Sequence, residues 1–274
     1  MLRISELYIY PVKSLGGIQL NKATVTDRGF KYDRRWMLID ENNRFISQRE
    51  HAIMALFNTS ISAGYLTVTY SGTNHSINLS LTPVKENVMP VTIWDDTCLA
   101  QPVSDEADEW FSRLLGINVR LVFMPDDTRR VTDPQYAPAD SITSFSDAYP
   151  FLMIGRASLD DLNQRLKNSL PMNRFRPNIV FTGGQPYQED TMDKLTINNI
   201  VFNGVKLCAR CNIITINQSD ASIAKEPVKT LASYRARNNK IYFGQNLVHS
   251  GTGIIAVGDE LTVLTTHDEP AFII

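Results

Sequence analysis

An α+β fold built mostly of β-strands is what this 274-residue sequence predicts, and three observations carry that reading. Apolar and polar residues alternate in short runs separated by turn residues, and only two segments show a helical apolar face. The composition, 43% hydrophobic and 20% charged, is that of a globular chain. Single cores stop growing at roughly 250–300 residues, so one large domain or two sharing an interface both fit this length.

The elements follow in order. Alternation in Leu7-Ile9, Leu66-Val68-Tyr70 and Ile77-Leu79, with turns at Gly16-Gly17, Glu41-Asn42-Asn43 and Ser71-Gly72-Thr73-Asn74, reads as strand after strand. Short antiparallel strands at this spacing suggest a barrel or a sandwich. Arg35 to Asp40 is a further strand, and Ser47 to Phe57 is open between strand and short helix. The first helix spans Asp105 to Leu115, where Ala107, Trp110, Phe111 and Leu114 share a face. Ser104 caps it, and acidic residues in the first turn suit the macrodipole. Asn118 to Met124 returns to strand, and Pro125 to Arg130 opens a polar stretch through Ser146, a length that accompanies function or mobility in compact domains. A second helix runs from about Ser158 to Lys167, with Ser158 as cap and Asp161 three residues on, and ends before Pro171. Strands are expected at Asn178 to Thr182, Leu195 to Leu207, Asn212 to Ile216 and Gly253 to Leu264. There is no internal repeat, and the boundary between two domains falls near residue 116.

Composition excludes several functions. With 27 basic and 29 acidic residues, a net charge of −2 gives no global basic field for nucleic acid or an anionic membrane, so any anion site must be local. No window approaches the roughly 18 apolar residues of a membrane helix. The N-terminus is broken by Arg3, Ser5 and Glu6 and lacks a signal-peptide pattern, which makes the cytoplasm the expected address. Three cysteines are too few for a disulfide scaffold and suit a reducing compartment.

Cys208-Ala209-Arg210-Cys211 is the most reactive-looking segment. As half a zinc site it needs two more ligands, and only Cys98 and the isolated His51, His75, His249 and His267 remain. A thioredoxin-type dithiol would open a helix, whereas a β-type run follows here. Two inert thiols at a strand end are the bland reading. The fourth is a single thiolate on a soft metal, with Arg210 lowering the thiol pKa. Lys13, Arg34 and Arg176 each sit at the edge of an apolar strand beside Ser, Asp or Asn. Such residues are usually solvated charges, but a fork of donors with polar neighbours is also what an anion needs.

Taken in order, PVKSLGG, DRRWMLID, the RR of DDTRRV, SDAYPFLMIGRASLDDLNQRL, FRPNIVFTG, CARC, EPVKTLASYR, FGQNL and VGDELTVL resemble the MOSC family. The likeness is to members with an N-terminal MOSC β-barrel, which include bacterial N-hydroxylated-base reductases and the mitochondrial amidoxime-reducing component. The resemblance implies an N-terminal β-barrel (1–116) packed on a β-rich MOSC domain (117–274), with molybdenum held between them by a molybdopterin and one thiolate. It assigns the metal and the catalytic role to Cys211. Cofactor contacts fall on Lys13, Ser14, Arg34, Arg176, Asn178, Ala209 and Arg210, and on the Ala148-Tyr149 pair, where relatives have Thr-Ser. Ala209 replaces a serine, so only its backbone can serve. The implied activity is reduction of N-hydroxylated small molecules: hydroxylamines, amidoximes or hydroxylaminopurines. Sulfur transfer to, or carriage of, the cofactor is the alternative. The chain lacks the ferredoxin-type cysteines of some bacterial relatives, so a separate donor protein of the ferredoxin or flavin reductase type is expected, docking near the cofactor; the Arg129-Arg130 loop reads either as part of that docking surface or as solvated surface charge.

Overall fold

The structure, a computed structural model, describes residues 1–83, 87–268 and 272. Its centre is a closed barrel of strands Phe151–Gly155, Ile179–Thr182, Leu2–Ile9, Glu260–Thr266, Met192–Ile197, Ile200–Ala209 and Lys240–Ser250. The last closes the ring by pairing with the first, Phe151 opposite Leu247. Neighbours run antiparallel except Phe151–Gly155 and Ile179–Thr182, whose parallel pairing is bridged by a helix on the barrel's outside, Arg156–Arg165. Successive side chains on these strands point to opposite faces. Met153, Ile179 and Phe181 fill one core with Leu7, Phe202 and Leu247. Ile154 and Val180 face the other way onto Leu159 and Leu162 of the bridging helix.

Outside the barrel lie a four-stranded sheet, a meander and a small three-stranded sheet of Gly253–Ala256, Lys22–Thr26 and Gly29–Phe30. Trp36–Ile39, Arg120–Phe123, Asp96–Pro102 and Met89–Ile93 form the sheet, and Phe57–Ser62, Tyr65–Tyr70 and His75–Ser80 the meander. Helix α1, Asp105–Leu115, seals them by burying Trp110 and Phe111 against Phe57, Leu66 and Val68. Ser104 Oγ accepts from Ala107 N at 3.1 Å at its start, and Gly116 ends it at φ 70°. The first strand, Leu2–Ile9, completes the barrel of the C-terminal half, while Arg120–Phe123 pairs with Trp36–Ile39 of the N-terminal half. Main-chain pairing therefore crosses residue 116 in both directions.

Several elements differ from the sequence expectation. The bridging helix, α2, begins at Arg156 with Gly155 as N-cap; Ser158 lies inside it, fully buried, donating to Glu189 and accepting from Tyr187 N. Leu195 to Leu207 is two strands, Met192–Ile197 and Ile200–Ala209, because Asn198 adopts φ 53° and reverses the chain. Gly253 to Leu264 likewise divides into Gly253–Ala256 and Glu260–Thr266. Asn212–Thr215 is a 3₁₀ turn despite its β-branched residues, because Ile214 packs with Leu231 of a short helix, α3 (Val228–Ala232). The long strand Lys240–Ser250 carries little alternation, so periodicity gives no sign of it. Among the described residues no helix is long and apolar enough to cross a membrane.

Candidate functional site

An open cleft with about 820 Å³ of empty space, its solvent-open part included, lies where loops of the two halves meet. Lys13, Ser14, Arg34, Ala148, Tyr149, Arg176, Asn178, Ala209, Arg210 and Cys211 all line it. These are the ten site residues expected from the sequence, and the fold brings every one to the same walls.

Backbone geometry positions the charged ones. Ser14, Arg34 and Arg176 adopt φ of 67°, 49° and 56°, the left-handed region that non-glycine residues rarely occupy. Such residues cost on the order of 1–3 kcal/mol and persist where surrounding bonds over-determine them. Here Arg34 N donates to Tyr10 O and Arg34 O accepts from Phe145 N, while Lys13 N donates to Trp36 O.

Lys13, 4% exposed, donates from Nζ to Phe145 O at 2.9 Å and Asp147 Oδ1 at 2.6 Å. Burial pushes its pKa down to about 8, and Asp147 opposes that shift. Asp147 is 57% exposed; its seat in the cleft wall disfavours charge, but Lys13 and Arg49 hold it well below the usual carboxylate range. Arg34 donates to Asp33 Oδ2 at 2.6 Å and to Asn178 Oδ1 at 3.0 Å. Asp33 also accepts from Tyr10 N; burial raises its pKa and Arg34 counters.

Tyr10 lies between two guanidiniums, Arg34 at 4.4 Å and Arg176 at 4.2 Å from its ring centroid. Among the described residues its buried hydroxyl has no partner, and burial, opposed by both arginines, pushes its pKa up to about 12. Among the described residues the Arg176 guanidinium makes no hydrogen bond, and burial pushes its pKa down to about 10. Arg210 donates to Phe175 O at 2.7 Å and leaves a buried Nε unpartnered. Its other donor contacts Cys208 Sγ at 3.2 Å, so the thiol expected beside Arg210 is replaced by its neighbour in the motif. Cys211 is a free, half-buried thiol at the N-cap of the 3₁₀ turn. The strand expected after it, which weighed against a dithiol, is therefore absent. Among the described residues no three His, Cys, Asp or Glu side chains converge as a metal cluster, so Cys208 and Cys211 have no further zinc ligands there.

Tyr149 packs its ring with Ala137 and Val248, and its buried hydroxyl, without a partner among the described residues, is pushed up to about 12 by burial. Ala148 presents only backbone and a methyl to the cleft. The Arg129-Arg130 pair divides: Arg129 is exposed, but Arg130 is 4% exposed and turned inward. It donates to Ser144 O at 3.0 Å and Asp147 O at 3.2 Å and pairs with Asp96. Those bonds tie it to the segment that carries Asp147. Sequence reasoning missed Tyr10, Asp33, Arg49 and Asp147. Tyr10 precedes the PVKS motif, Asp33 opens DRRWMLID and Asp147 lies in the SDAYP stretch, the one signal available; Arg49 carries none.

Five cationic side chains, Lys13, Arg34, Arg49, Arg176 and Arg210, thus line the cleft with Asp147 as its lining carboxylate. That surplus, with unfilled N–H donors and a soft thiol at the same wall, suits an anionic ligand bearing a thiophilic metal.

Residues 1–118 match the MOSC N-terminal beta barrel domain and residues 140–262 match the MOSC domain. The chain belongs to the MOSC family, in the branch that carries the N-terminal barrel domain. Mitochondrial amidoxime-reducing component 1 of Homo sapiens is 30% identical to it over 279 residues, 95% of this chain and 82% of that protein. Mitochondrial amidoxime reducing component 2 of Rattus norvegicus is 28% identical over 93% of this chain and 81% of its own length. Molybdenum cofactor sulfurase of Oryza sativa subsp. japonica is 30% identical over 89% of this chain, which spans 32% of that protein. The family takes its name from the C-terminal domain of molybdenum cofactor sulfurase, and membership ties the chain to molybdenum-cofactor-related function.

Proposed function

We propose that this protein binds molybdenum-molybdopterin and reduces N-hydroxylated small molecules, namely hydroxylamines, amidoximes or hydroxylaminopurines, in the cytoplasm. Electrons come from a separate donor protein of the ferredoxin or flavin reductase type. The observation that carries the reading is one cleft that gathers Cys211, a surplus of cations, the unpartnered Nε of Arg210 and an Arg176 guanidinium without a hydrogen bond among the described residues. The net reaction is R–NH–OH + 2 e⁻ + 2 H⁺ → R–NH₂ + H₂O, in which the N–O bond breaks and its oxygen leaves as water.

The donor set fits the cofactor. Cys211 would ligate the metal; Lys13, Ser14, Arg34, Arg176 and Asn178, with Ala209 and Arg210, would hold the phosphate and pterin. When bound, the cofactor would supply the two-electron redox chemistry. The chain's residues bind and orient. Asp147 restores to Lys13 part of the charge that burial removes, so the ammonium stays cationic at neutral pH. Asp33 fixes one edge of the Arg34 guanidinium and leaves the rest to the ligand.

Similarity to the rice sulfurase favours a second reading, sulfur transfer to the cofactor or its carriage. Protein from a cofactor-competent host separates them. Reductase function predicts about one molybdenum per chain, pterin fluorescence, and turnover with reduced viologen but not with NADH or NADPH alone. Full loading without turnover, with persulfide on Cys211, would establish transfer; loading with neither would establish carriage.

A further inference from the structure

Strands Met89–Ile93 and Asp96–Pro102 are joined by two residues, Trp94 and Asp95, since Ile93 pairs with Asp96. Trp94 stands at φ 55° with 40% of its surface exposed. Two-residue hairpin loops take Asn, Asp or Gly at positive φ, and a bulky residue there is an outlier. The turn therefore does not account for a tryptophan, and neither does the core, which buries both Trp36 and Trp110.

Its contacts lead to the cleft. The Arg49 guanidinium lies 4.3 Å from the Trp94 ring centroid, and Phe45 braces the indole edge-on at 4.9 Å. Trp94 Nε1 reaches Asp147 Oδ1 at 3.4 Å, and Arg49 reaches Asp147 Oδ2 at the same distance. Arg49 and Asp147 both line the cleft, and Asp147 holds Lys13. Strained backbone, exposed π surface and anchorage to the cleft wall thus coincide at one residue, and such strain gathers at ligand clamps.

We infer that Trp94, held by Arg49 and Asp147 of the cleft wall, is a specificity-determining residue that stacks planar aromatic N-hydroxylated substrates and favours them over small aliphatic hydroxylamines. The inference rests on the reductase reading for its substrate class. An indole braced on one side by a guanidinium offers its remaining surface to a flat π system, and an aliphatic hydroxylamine has no such system to stack.

The test uses loaded holoenzyme, benzamidoxime as the planar probe and N-methylhydroxylamine as the aliphatic one. Calorimetric titration without reductant reads binding alone; assays with reduced viologen read turnover without any donor protein. Trp94→Ala should raise Kd and KM for benzamidoxime about tenfold, leave kcat within about twofold, and leave N-methylhydroxylamine unchanged. Trp94→Phe should recover most of the loss, and unchanged circular dichroism excludes misfolding. Equal effects on both probes, or none on benzamidoxime, would overturn the inference. So would a defect that appears only when a donor protein supplies electrons, since that marks a protein interface. If the parent binds benzamidoxime through Trp94 yet reduces neither probe, the reductase reading fails and the stacking platform stands. If both probes are reduced with no dependence on Trp94, the platform fails and the reductase reading stands.

Discussion

Buried charge is handled differently in the cleft and beside helix α2. Glu189 and Asp190, 0% and 5% exposed, lie in a 3₁₀ turn, Gln188–Thr191, tied to α2 through Ser158. Glu189 accepts from Ser158 Oγ at 2.8 Å, and Asp190 pairs with the buried Arg235. Among the described residues one oxygen of each carboxylate has no partner, and burial first, then Asp190, pushes Glu189 up to about 7. In the cleft the surplus is cationic and lines an opening, with Arg210 Nε unpartnered and the Arg176 guanidinium without a hydrogen bond among the described residues. The contrast is chemical. A sealed carboxylate can relieve its burial by taking a proton, whereas a guanidinium stays charged and must be answered by an anion. A carboxylate surplus can thus be structural, while a guanidinium surplus at an opening marks a ligand site.

The sharpest way to break that comparison is at the metal. Cys211→Ser should bring molybdenum content, read by elemental analysis, to background, while Cys208→Ser should keep most of it. Equal loss from both would favour a dithiol or zinc site and leave the cationic surplus without its metal-bearing anion.

The carboxylate side is tested by pH. With Glu189 near 7 in the folded chain and about 4.3 when unfolded, its contribution is fully present below about 4.3 and is lost as pH rises through about 7. Glu189→Gln should therefore gain stability relative to the parent across that window, by up to about 4 kcal/mol above it. Urea midpoints measured from pH 4 to 8 check this; parallel profiles for the two proteins would show that Glu189 does not titrate there.

A smaller effect is expected at the clamp. Arg176→Lys keeps the charge but loses the planar fork, and cofactor retention through desalting should weaken about tenfold. Undiminished retention would leave the surplus guanidinium unexplained. The smallest is Ser104→Ala, which removes the α1 cap far from both clusters and should cost about 1 kcal/mol without altering cofactor content.

How much of this was legible in the sequence varies by region. Helix α1 could be read completely, because its cap, first-turn acids and apolar face are local signals. The strand-edge cations Lys13, Arg34 and Arg176 could be picked out by neighbours and motif, but not their left-handed backbone or the Tyr10 ring between two of them. Arg130 looked like surface charge; its inward turn depends on carbonyls of Ser144 and Asp147 that the polar loop presents only once folded. Asn212–Thr215 misled because β-branched side chains favour strands until a packing partner, here Leu231, offers a better burial.

By itself the sequence determined a β-rich α+β chain, the ordered motifs of its family and the residue types from which a soft-metal and anion site could be made. These are properties of periodicity and of side-chain chemistry, which act over a few residues. The tertiary structure decided that Leu2–Ile9 completes a barrel begun near residue 150, that Arg210 meets Cys208 instead of Cys211, and that Asp147 joins Lys13 to Arg49 and Trp94. Such pairings link positions dozens to hundreds of residues apart. Burial and strand register select them, and both exist only when the whole chain has packed.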